Sequence, residues 1–332
     1  MVALVAAALA FVQASSVPAA ADVRARLAAY EQRLARTQSP DPAELGDIAR
    51  VVIEQARRSP KFAVWTEACA STVVPDSDTC GPRLWAVLNR QTETRAARAE
   101  AASALVARGD AAAADALADA LKGTPASALA PLAPILAELP AKRAVPLLVR
   151  LSQSSSPADQ GLACRYLGGF DQAESRDAIR AIVAANPPGT EPWLLCMIAQ
   201  AQLHETNTPG AVLGYAHSLP PSGLLYAGSV MLQLGDGSAV QVLTDLTHRG
   251  TMSERLQAAA LLADRAPDVA AVVVDQALAA SDAALRADAL SVERRLKRDP
   301  SVVVRGMLVD ATEIVRIRAA EDIRDWVGRQ KR

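Results

Sequence analysis

Small apolar residues recur along this chain at a nearly fixed spacing. Eight positions stand 30–33 residues apart, and a small residue follows each of them three positions later. We call the eight positions marks; they are Arg98, Ala130, Gln160, Trp193, Leu224, Arg255, Arg286 and Arg316. The small residues are Ala101, Ala133, Ala163, Cys196, Ala227, Ala258, Ala289 and Ala319. Residues three apart share a helix face, so each small residue is predicted to let two helices approach closely.

Turn-forming residues separate the predicted helices. Examples are Gly235-Asp236-Gly237 and Asp299-Pro300, where glycine ends one helix and aspartate or proline begins the next. A fixed period of this size is typical of helical hairpins stacked in a row. The predicted fold is therefore an all-α, right-handed α-solenoid of about eight hairpins, over residues 94–332.

Residues 22–93 lie outside the period and are predicted to form an N-terminal helical cap module. Helices are expected at 22–37 and from Pro42 to Arg58, with Asp41 as N-cap and proline at the first helical position. A terminal repeat exposes an apolar stacking face. The cap module is expected to cover it.

Residues 1–21 read as a secretory signal peptide. An apolar run from Met1 to Val12 is followed by Ala19-Ala20-Ala21, which suits a cleavage site before Asp22. No basic residue precedes Arg24, so the usual positive start is missing, and an ordinary alanine-rich helix is the alternative. The prediction is a periplasmic or secreted protein. No later apolar stretch is long enough to predict a transmembrane segment in the mature chain.

The four cysteines agree with export. Cys69, Cys80, Cys164 and Cys196 form an even set without metal or redox spacing. Cys69 and Cys80 flank a predicted turn, whereas Cys164 and Cys196 fall on equivalent helices of successive repeats. Both pairs are disulfide candidates, and buried thiols are the alternative for the second pair.

Charge and motifs exclude some functions. The net charge is −1, without the basic excess of a nucleic-acid binder. No phosphate-binding glycine loop, catalytic serine motif or metal-ligand spacing occurs, and the three histidines are scattered. We therefore predict no nucleic-acid partner, no cofactor, no metal and no catalytic residue.

Several mark helices resemble a known repeat family. Arg98 to Leu105, Arg255 to Leu262 and Val315 to Ala320 look like the second helix of HEAT-like repeats. The resemblance implies an α-solenoid whose second helices line a concave side, often with a ladder of arginines. The middle repeats depart from it, since Gln160, Trp193 and Leu224 replace the arginine.

Aromatic residues concentrate where the arginines are missing. Five of the eleven aromatics lie between residues 166 and 226. Tyr and Trp are frequent at interface hot spots, so Tyr166, Trp193 and Tyr226 are predicted to contact a partner. The alternative is that their rings fill the core between repeats.

The functional prediction is a non-enzymatic scaffold or adaptor that holds a protein or peptide in its concave groove. Two alternatives stay open. One is an enzyme on a solenoid, because some HEAT-like proteins that resemble this pattern are lyases or isomerases. The other is a solenoid that binds cell-wall glycan, which the aromatic residues would also suit.

Overall fold

The computed structural model describes residues 17–71, 79–205, 212, 214 and 218–330. Helix accounts for 76% of the structure, and the described ranges contain no strand. The all-α prediction is confirmed, and the fold is a helical repeat. Residues 1–16, most of the predicted signal peptide, lie outside the described residues.

The described ranges contain eighteen α-helices and two 3-10 helices. They are α1 Val17–Thr37, α2 Pro42–Arg57, α3 Phe62–Ala70, α4 Cys80–Asn89, α5 Arg95–Ala107, α6 Ala112–Ala120, a 3-10 helix Ala126–Leu132, α7 Ala133–Leu136, α8 Ala141–Ser152, α9 Pro157–Leu167, α10 Ala173–Ala185, α11 Glu191–Gln202, α12 Pro221–Gln233, α13 Ser238–Arg249, α14 Met252–Leu262, α15 Pro267–Leu278, α16 Ala283–Leu296, α17 Val302–Gly306, a 3-10 helix Met307–Val309, and α18 Glu313–Gln330.

The recurrent small residues are the most deeply buried part of the pattern. All eight, from Ala101 to Ala319, have a relative exposure of 0%. Interiors are packed as densely as organic crystals, so a larger side chain at any of them would have to displace a neighbouring helix. The repeat period therefore records close contacts between helices, as the sequence predicted.

One repeat is not regular helix. The mark Ala130 lies in a 3-10 helix, which the four-residue α7 follows directly. Pro131 and Pro134 explain the irregularity, because proline lacks the N–H that an α-helix interior needs and its ring crowds the preceding turn. The period continues through this repeat, since Ala133 is still buried.

The chain divides into two compact units. Unit 1 contains residues Met1–Asp76 and Val274–Arg332, and unit 2 contains Ser77–Val273. The division does not coincide with the predicted one, in which 22–93 forms a module of its own. The boundaries 1–21, 22–93 and 94–332 stay predictions.

Unit 1 joins the first helices of the chain to the last. Helix α18 packs against α2, α3 and α16. Gly46 marks the close approach of α2 to α18, since a Cβ there would lie 3.2 Å from the side chain of Val327. Ion pairs link distant parts of the sequence, such as Arg305 with Glu31 at 2.6 Å.

Unit 2 is a run of hairpins with a continuous apolar core. Around α11 and α12 the core includes Ile198, Val230 and Met231, each 0% exposed. Helix starts follow sequence signals here: Ser156 accepts a hydrogen bond from the backbone N–H of Asp159, and Thr251 forms a capping box with Glu254. These caps fix where the hairpins turn.

Candidate functional site

The predicted aromatic residues do not share one exposed face. Tyr226 is 6% exposed, and its hydroxyl donates a hydrogen bond to Oε1 of Gln202 at 3.1 Å. Burial raises its pKa, and the Arg165 guanidinium only partly opposes that rise. Trp193 packs, partly buried, against the core of α11 and α12. For Tyr226 these contacts favour the core-filling alternative.

Arg165 connects two of the predicted residues. Its guanidinium lies 6.0 Å from the ring centroid of Tyr166 and 5.8 Å from that of Tyr226. Such distances suit cation–π attraction, so the arginine bridges two rings whose repeats stand on either side of the repeat that contains Trp193. The partner-binding role of Tyr166, Trp193 and Tyr226 stays a prediction.

All four cysteines are disulfide-bonded, as predicted. Cys164 on α9 and Cys196 on α11 form one bond, with their Cα atoms 5.0 Å apart. Cys69 and Cys80 are disulfide-bonded as well. Disulfides of this kind persist in oxidising compartments, which agrees with a location outside the cytoplasm.

The mark arginines have a local role that the sequence did not reveal. Each reaches the backbone carbonyls near the end of the preceding helix: Arg98 bonds Leu88 O at 2.8 Å, and Arg316 bonds Asp310 O at 2.7 Å. Gln160 does the same with its amide, which donates to Ser154 O at 2.9 Å. The expected arginine ladder is thus a series of clamps on helix ends, whose carbonyls lack partners within the helix.

A cluster of polar side chains lies in unit 1, where α3, α16 and α18 meet. A pocket of about 250 Å³ opens there. Its lining residues are Glu67, Ala70, Ser71, Ser291, Arg294, Arg318 and Glu321. They reach the pocket because each helix contributes residues three or four positions apart, which share a helix face. We call this space the polar pocket.

Arg318 organises one side of the polar pocket. Its Nε donates to Glu67 at 2.8 Å, and its Nη1 donates to Asp288 at 3.1 Å and to the Ser291 hydroxyl at 3.0 Å. The side chains of Arg318 and Glu67 are 25% and 30% exposed. The guanidinium therefore holds the Glu67 carboxylate in one orientation beside the cavity.

Glu321 forms the other side. Its side chain is 15% exposed and lies 3.5 Å from Nη1 of Arg294. Burial raises the pKa of Glu321 above its ordinary value of 4.5, and the negative charge of Glu67 adds to the rise. Ser71, Arg294 and Arg318 act in the opposite direction without cancelling it. The pocket thus combines an ion-paired carboxylate with a carboxyl group that holds its proton more tightly.

A second pair of carboxyl groups lies behind the pocket. Glu293 and Asp322 are each 2% exposed. Arg298 binds the Glu293 carboxylate, with its Nε 3.1 Å from Oε1. Burial raises the pKa of Asp322 to about 7; repulsion from Glu293 adds to the rise, and Arg329 and Arg294 oppose it.

Sequence reasoning missed the polar pocket. Its members come from two parts of the chain that are more than 200 residues apart, and no motif joins Glu67 to Glu321. The sequence contained a weak indication of the pocket in two charged residues that follow the last mark, Arg318 and Glu321. Ala319 and Ile323 form the apolar face of the same helix. Charged residues flanking such a face could have been examined for partners elsewhere in the chain.

Two kinds of site are not found within the described ranges. No three His, Cys, Asp or Glu side chains there stand close enough together to hold a metal ion. Among the helices described, none combines the length and the apolar character that a membrane span requires.

Comparison with known proteins gives a structural likeness alone. No family model and no curated protein matches the chain. A chain from the structure of human deoxyhypusine hydroxylase in complex with glycerol matches at 18% identity with a TM-score of 0.37. The match covers 81% of this chain and 99% of that one.

This comparison contradicts the prediction of a non-enzymatic scaffold. The matching helical-repeat protein is an enzyme by its name, whereas the prediction for this chain was a non-enzymatic scaffold. At this identity the likeness concerns the fold, and no residue role is carried over from it. Any activity of this chain has to be argued from its own side chains.

Proposed function

We propose that the polar pocket is an acid–base catalytic site of the lyase or isomerase type. The observation that carries the proposal is the contrast between its two carboxyl groups. Glu67 is ion-paired with Arg318 at 2.8 Å, whereas Glu321 has a longer ion pair with Arg294, at 3.5 Å, is 15% exposed and has a raised pKa. A carboxyl group whose surroundings raise its pKa, beside a second carboxyl group, is a common arrangement for acid and base roles in one site.

The proposed step balances its protons and electrons. The Glu67 carboxylate takes a proton from a C–H bond of the substrate, and the electron pair of that bond forms a new double bond. Glu321 gives its proton to the neighbouring group as that group departs. Glu67 ends protonated and Glu321 ends ionised, and proton exchange with solvent restores both.

The pocket suits small polar substrates. Its volume of about 250 Å³ lies just below the usual range for small-molecule sites, about 300–1,000 Å³. The lining residues include no aromatic ring on which a sugar could stack, so the glycan alternative gains no support here. We further propose that the repeats are HEAT-like and that the protein acts in the periplasm or outside the cell; the clamping arginines and the disulfides support these assignments.

The experiment uses solvent deuterium, because the substrate is unidentified. The full chain is incubated in D₂O with a small-molecule extract of the source cells, and mass spectrometry records which compounds gain deuterium at carbon. Reversible proton abstraction by Glu67 exchanges a C–H for a C–D bond, so the wild-type protein is expected to label specific compounds.

Variants separate the site from the rest of the protein. Glu67→Gln removes the base and is expected to abolish the labelling. Glu54→Gln is the matched control, because Glu54 pairs with Arg50 on the surface of α2, away from the pocket. The proposal fails if wild type and Glu67→Gln label the same compounds equally, or if neither labels more than a protein-free sample.

A further inference from the structure

The two guanidinium groups of the polar pocket differ in how many hydrogen-bond acceptors they have. Arg318 has four acceptors: Glu67, Asp288, the Ser291 hydroxyl and the carbonyl of Ala287. Arg294 has a single long contact within the described part of the chain, 3.5 Å to Glu321. A guanidinium carries five N–H donors, so most of those on Arg294 remain available to a ligand.

The Ser71 hydroxyl is a second available group. Ser71 lines the pocket and is 4% exposed, yet its oxygen has no hydrogen-bond partner among protein atoms. It lies close enough to Glu321 for a weak hydrogen bond that lowers the pKa of that carboxyl, although the contact falls short of full hydrogen-bond geometry. A buried hydroxyl without a partner is costly, and a bound ligand would supply one.

The charges around the cavity balance when Glu321 is uncharged, because Arg294 and Arg318 face the carboxylates of Glu67 and Asp288. Arg318 is balanced by Glu67, with Asp288 adding a half-exposed carboxylate on the outer side. The groups that face Glu321 are Glu67 and Ser71 from the α3 side, Arg294 from α16, and Arg318 from α18. Arg294 faces Glu321 at 3.5 Å, and its positive charge also opposes the rise in the pKa of the buried Asp322.

We infer that the polar pocket binds a small substrate through a carboxylate or phosphate group, held by Arg294 and the Ser71 hydroxyl. This inference rests on the proposed function and names its substrate class. Guanidinium groups bind both oxyanions through paired N–H donors, so the shared chemistry is an oxyanion on a small molecule. The anion would lie on the Glu321 side of the cavity, which leaves Glu67 free for the proton transfer.

The test is calorimetric titration of the full chain with succinate and, separately, with inorganic phosphate. Arg294→Gln is expected to weaken binding about tenfold, as for loss of one charge-assisted contact. Arg294→Lys keeps the charge and is expected to restore part of that affinity. Arg26→Gln is the matched control, because Arg26 pairs with Asp22 at an exposed position in unit 1.

Glu321→Gln adds a readout that a purely structural role would not produce. The glutamine imitates the uncharged form, so this variant is expected to bind succinate more tightly than wild type wherever Glu321 is ionised and repels the anion. Tighter binding of succinate than of phosphate identifies a carboxylate substrate, and the reverse order identifies a phosphate. Equal binding by wild type and Arg294→Gln, or no binding of either anion at millimolar concentration, overturns the inference.

The two proposals can fail separately. Deuterium labelling that depends on Glu67, without anion binding that depends on Arg294, keeps the catalytic proposal and refutes the oxyanion substrate. Anion binding that depends on Arg294, without labelling that depends on Glu67, refutes catalysis and supports the oxyanion site alone.

Discussion

Replacing Arg286 by leucine tests whether the mark arginines clamp the ends of helices. The Arg286 guanidinium donates to the carbonyls of Ala280 at 2.9 Å and Ser281 at 2.8 Å, and it holds both carboxylate oxygens of Asp310 at 3.1 Å. The side chains of Arg286 and Asp310 are 16% and 14% exposed. One residue therefore joins the end of the preceding helix to the start of the last repeat.

The magnitude follows from this burial. Removing one partner of a fully buried ion pair costs about 3–5 kcal/mol, because the other charge stays behind without compensation. Partial exposure reduces the cost, and Asp310 keeps a hydrogen bond from the backbone N–H of Thr312 at 2.7 Å. We expect Arg286→Leu to lower the free energy of unfolding by about 3 kcal/mol. Arg286→Gln should cost less, because an amide at the mark Gln160 still clamps one carbonyl.

The effect should depend on pH. Burial alone would raise the pKa of Asp310, but hydrogen bonds from Arg286 and Thr312, and the nearby positive charges, hold it below 3.8. A depressed carboxyl pKa stabilises the fold above the pKa of the unfolded chain, and that stability disappears as the pH falls through the folded value. The difference between wild type and Arg286→Leu should therefore shrink below about pH 4.

The assay is urea unfolding followed by circular dichroism, with Arg26→Leu as the control at an exposed ion pair. A surface pair contributes about 0–1 kcal/mol, so the control should unfold nearly as wild type does. If Arg286→Leu and Arg26→Leu are equally stable, the clamp has no energetic role. A loss that persists unchanged at pH 3 would refute the part assigned to Asp310.

Two further predictions concern stability. Asp322→Asn should raise the free energy of unfolding at pH 8 by a few kcal/mol and make it depend less on pH, as measured by urea unfolding. The reason is that a carboxyl group whose folded pKa is about 7 makes the wild type lose stability as the pH rises from about 4 through 7. A wild type that is as stable at pH 8 as at pH 4 contradicts this prediction. Replacing Cys164 and Cys196 by alanine should lower the free energy of unfolding by about 4 kcal/mol under oxidising conditions, because the disulfide closes a loop of 32 residues in the unfolded chain. Thermal unfolding measures the loss, and a reductant should destabilise the variant less than the wild type. An unchanged melting temperature contradicts a structural role for this disulfide.

The repeat pattern could be read from the sequence because its cause is local and regular. Ala101 and its equivalents occupy one helix face, and such a face has to be small wherever two helices cross closely. Pro42 likewise predicted the N-terminus of α2. Pro131 and Pro134, in contrast, interrupt a helix that the repeat period alone would predict to be continuous. In these cases a residue acts on neighbours within a few positions, so the sequence contains both partners.

The arginine marks were visible, but their role was misinterpreted. Arginines that line a concave surface and arginines that bind the carbonyls at a helix end occur at the same spacing in the sequence. The two arrangements differ only in where the side chain points. Gln160, which replaces the arginine at one mark, distinguishes between these two arrangements. An amide can replace a guanidinium in donating to a carbonyl, but it replaces a surface charge poorly.

The polar pocket could not be predicted, because its chemistry depends on burial. Glu67 and Glu321 are the same residue type in the sequence, and only the packing of α3 against α18 gives them different surroundings. The pKa of a carboxyl depends on desolvation and nearby charge, and both come from residues far away along the chain. The scaffold prediction relied on the absence of short motifs, and that absence does not exclude a site assembled from distant helices.

The most direct test of the account is the titration of Glu321 itself. Carbon-detected NMR of the full chain labelled at glutamate side-chain carboxyl carbons follows its protonation, with Glu321→Gln identifying the resonance. We expect a pKa of Glu321 above 4.5. In Arg294→Gln the pKa should be higher still, because the positive charge of Arg294 stabilises the ionised form of Glu321. A Glu321 that titrates at or below 4.5 would contradict the assignment of this residue as the acid.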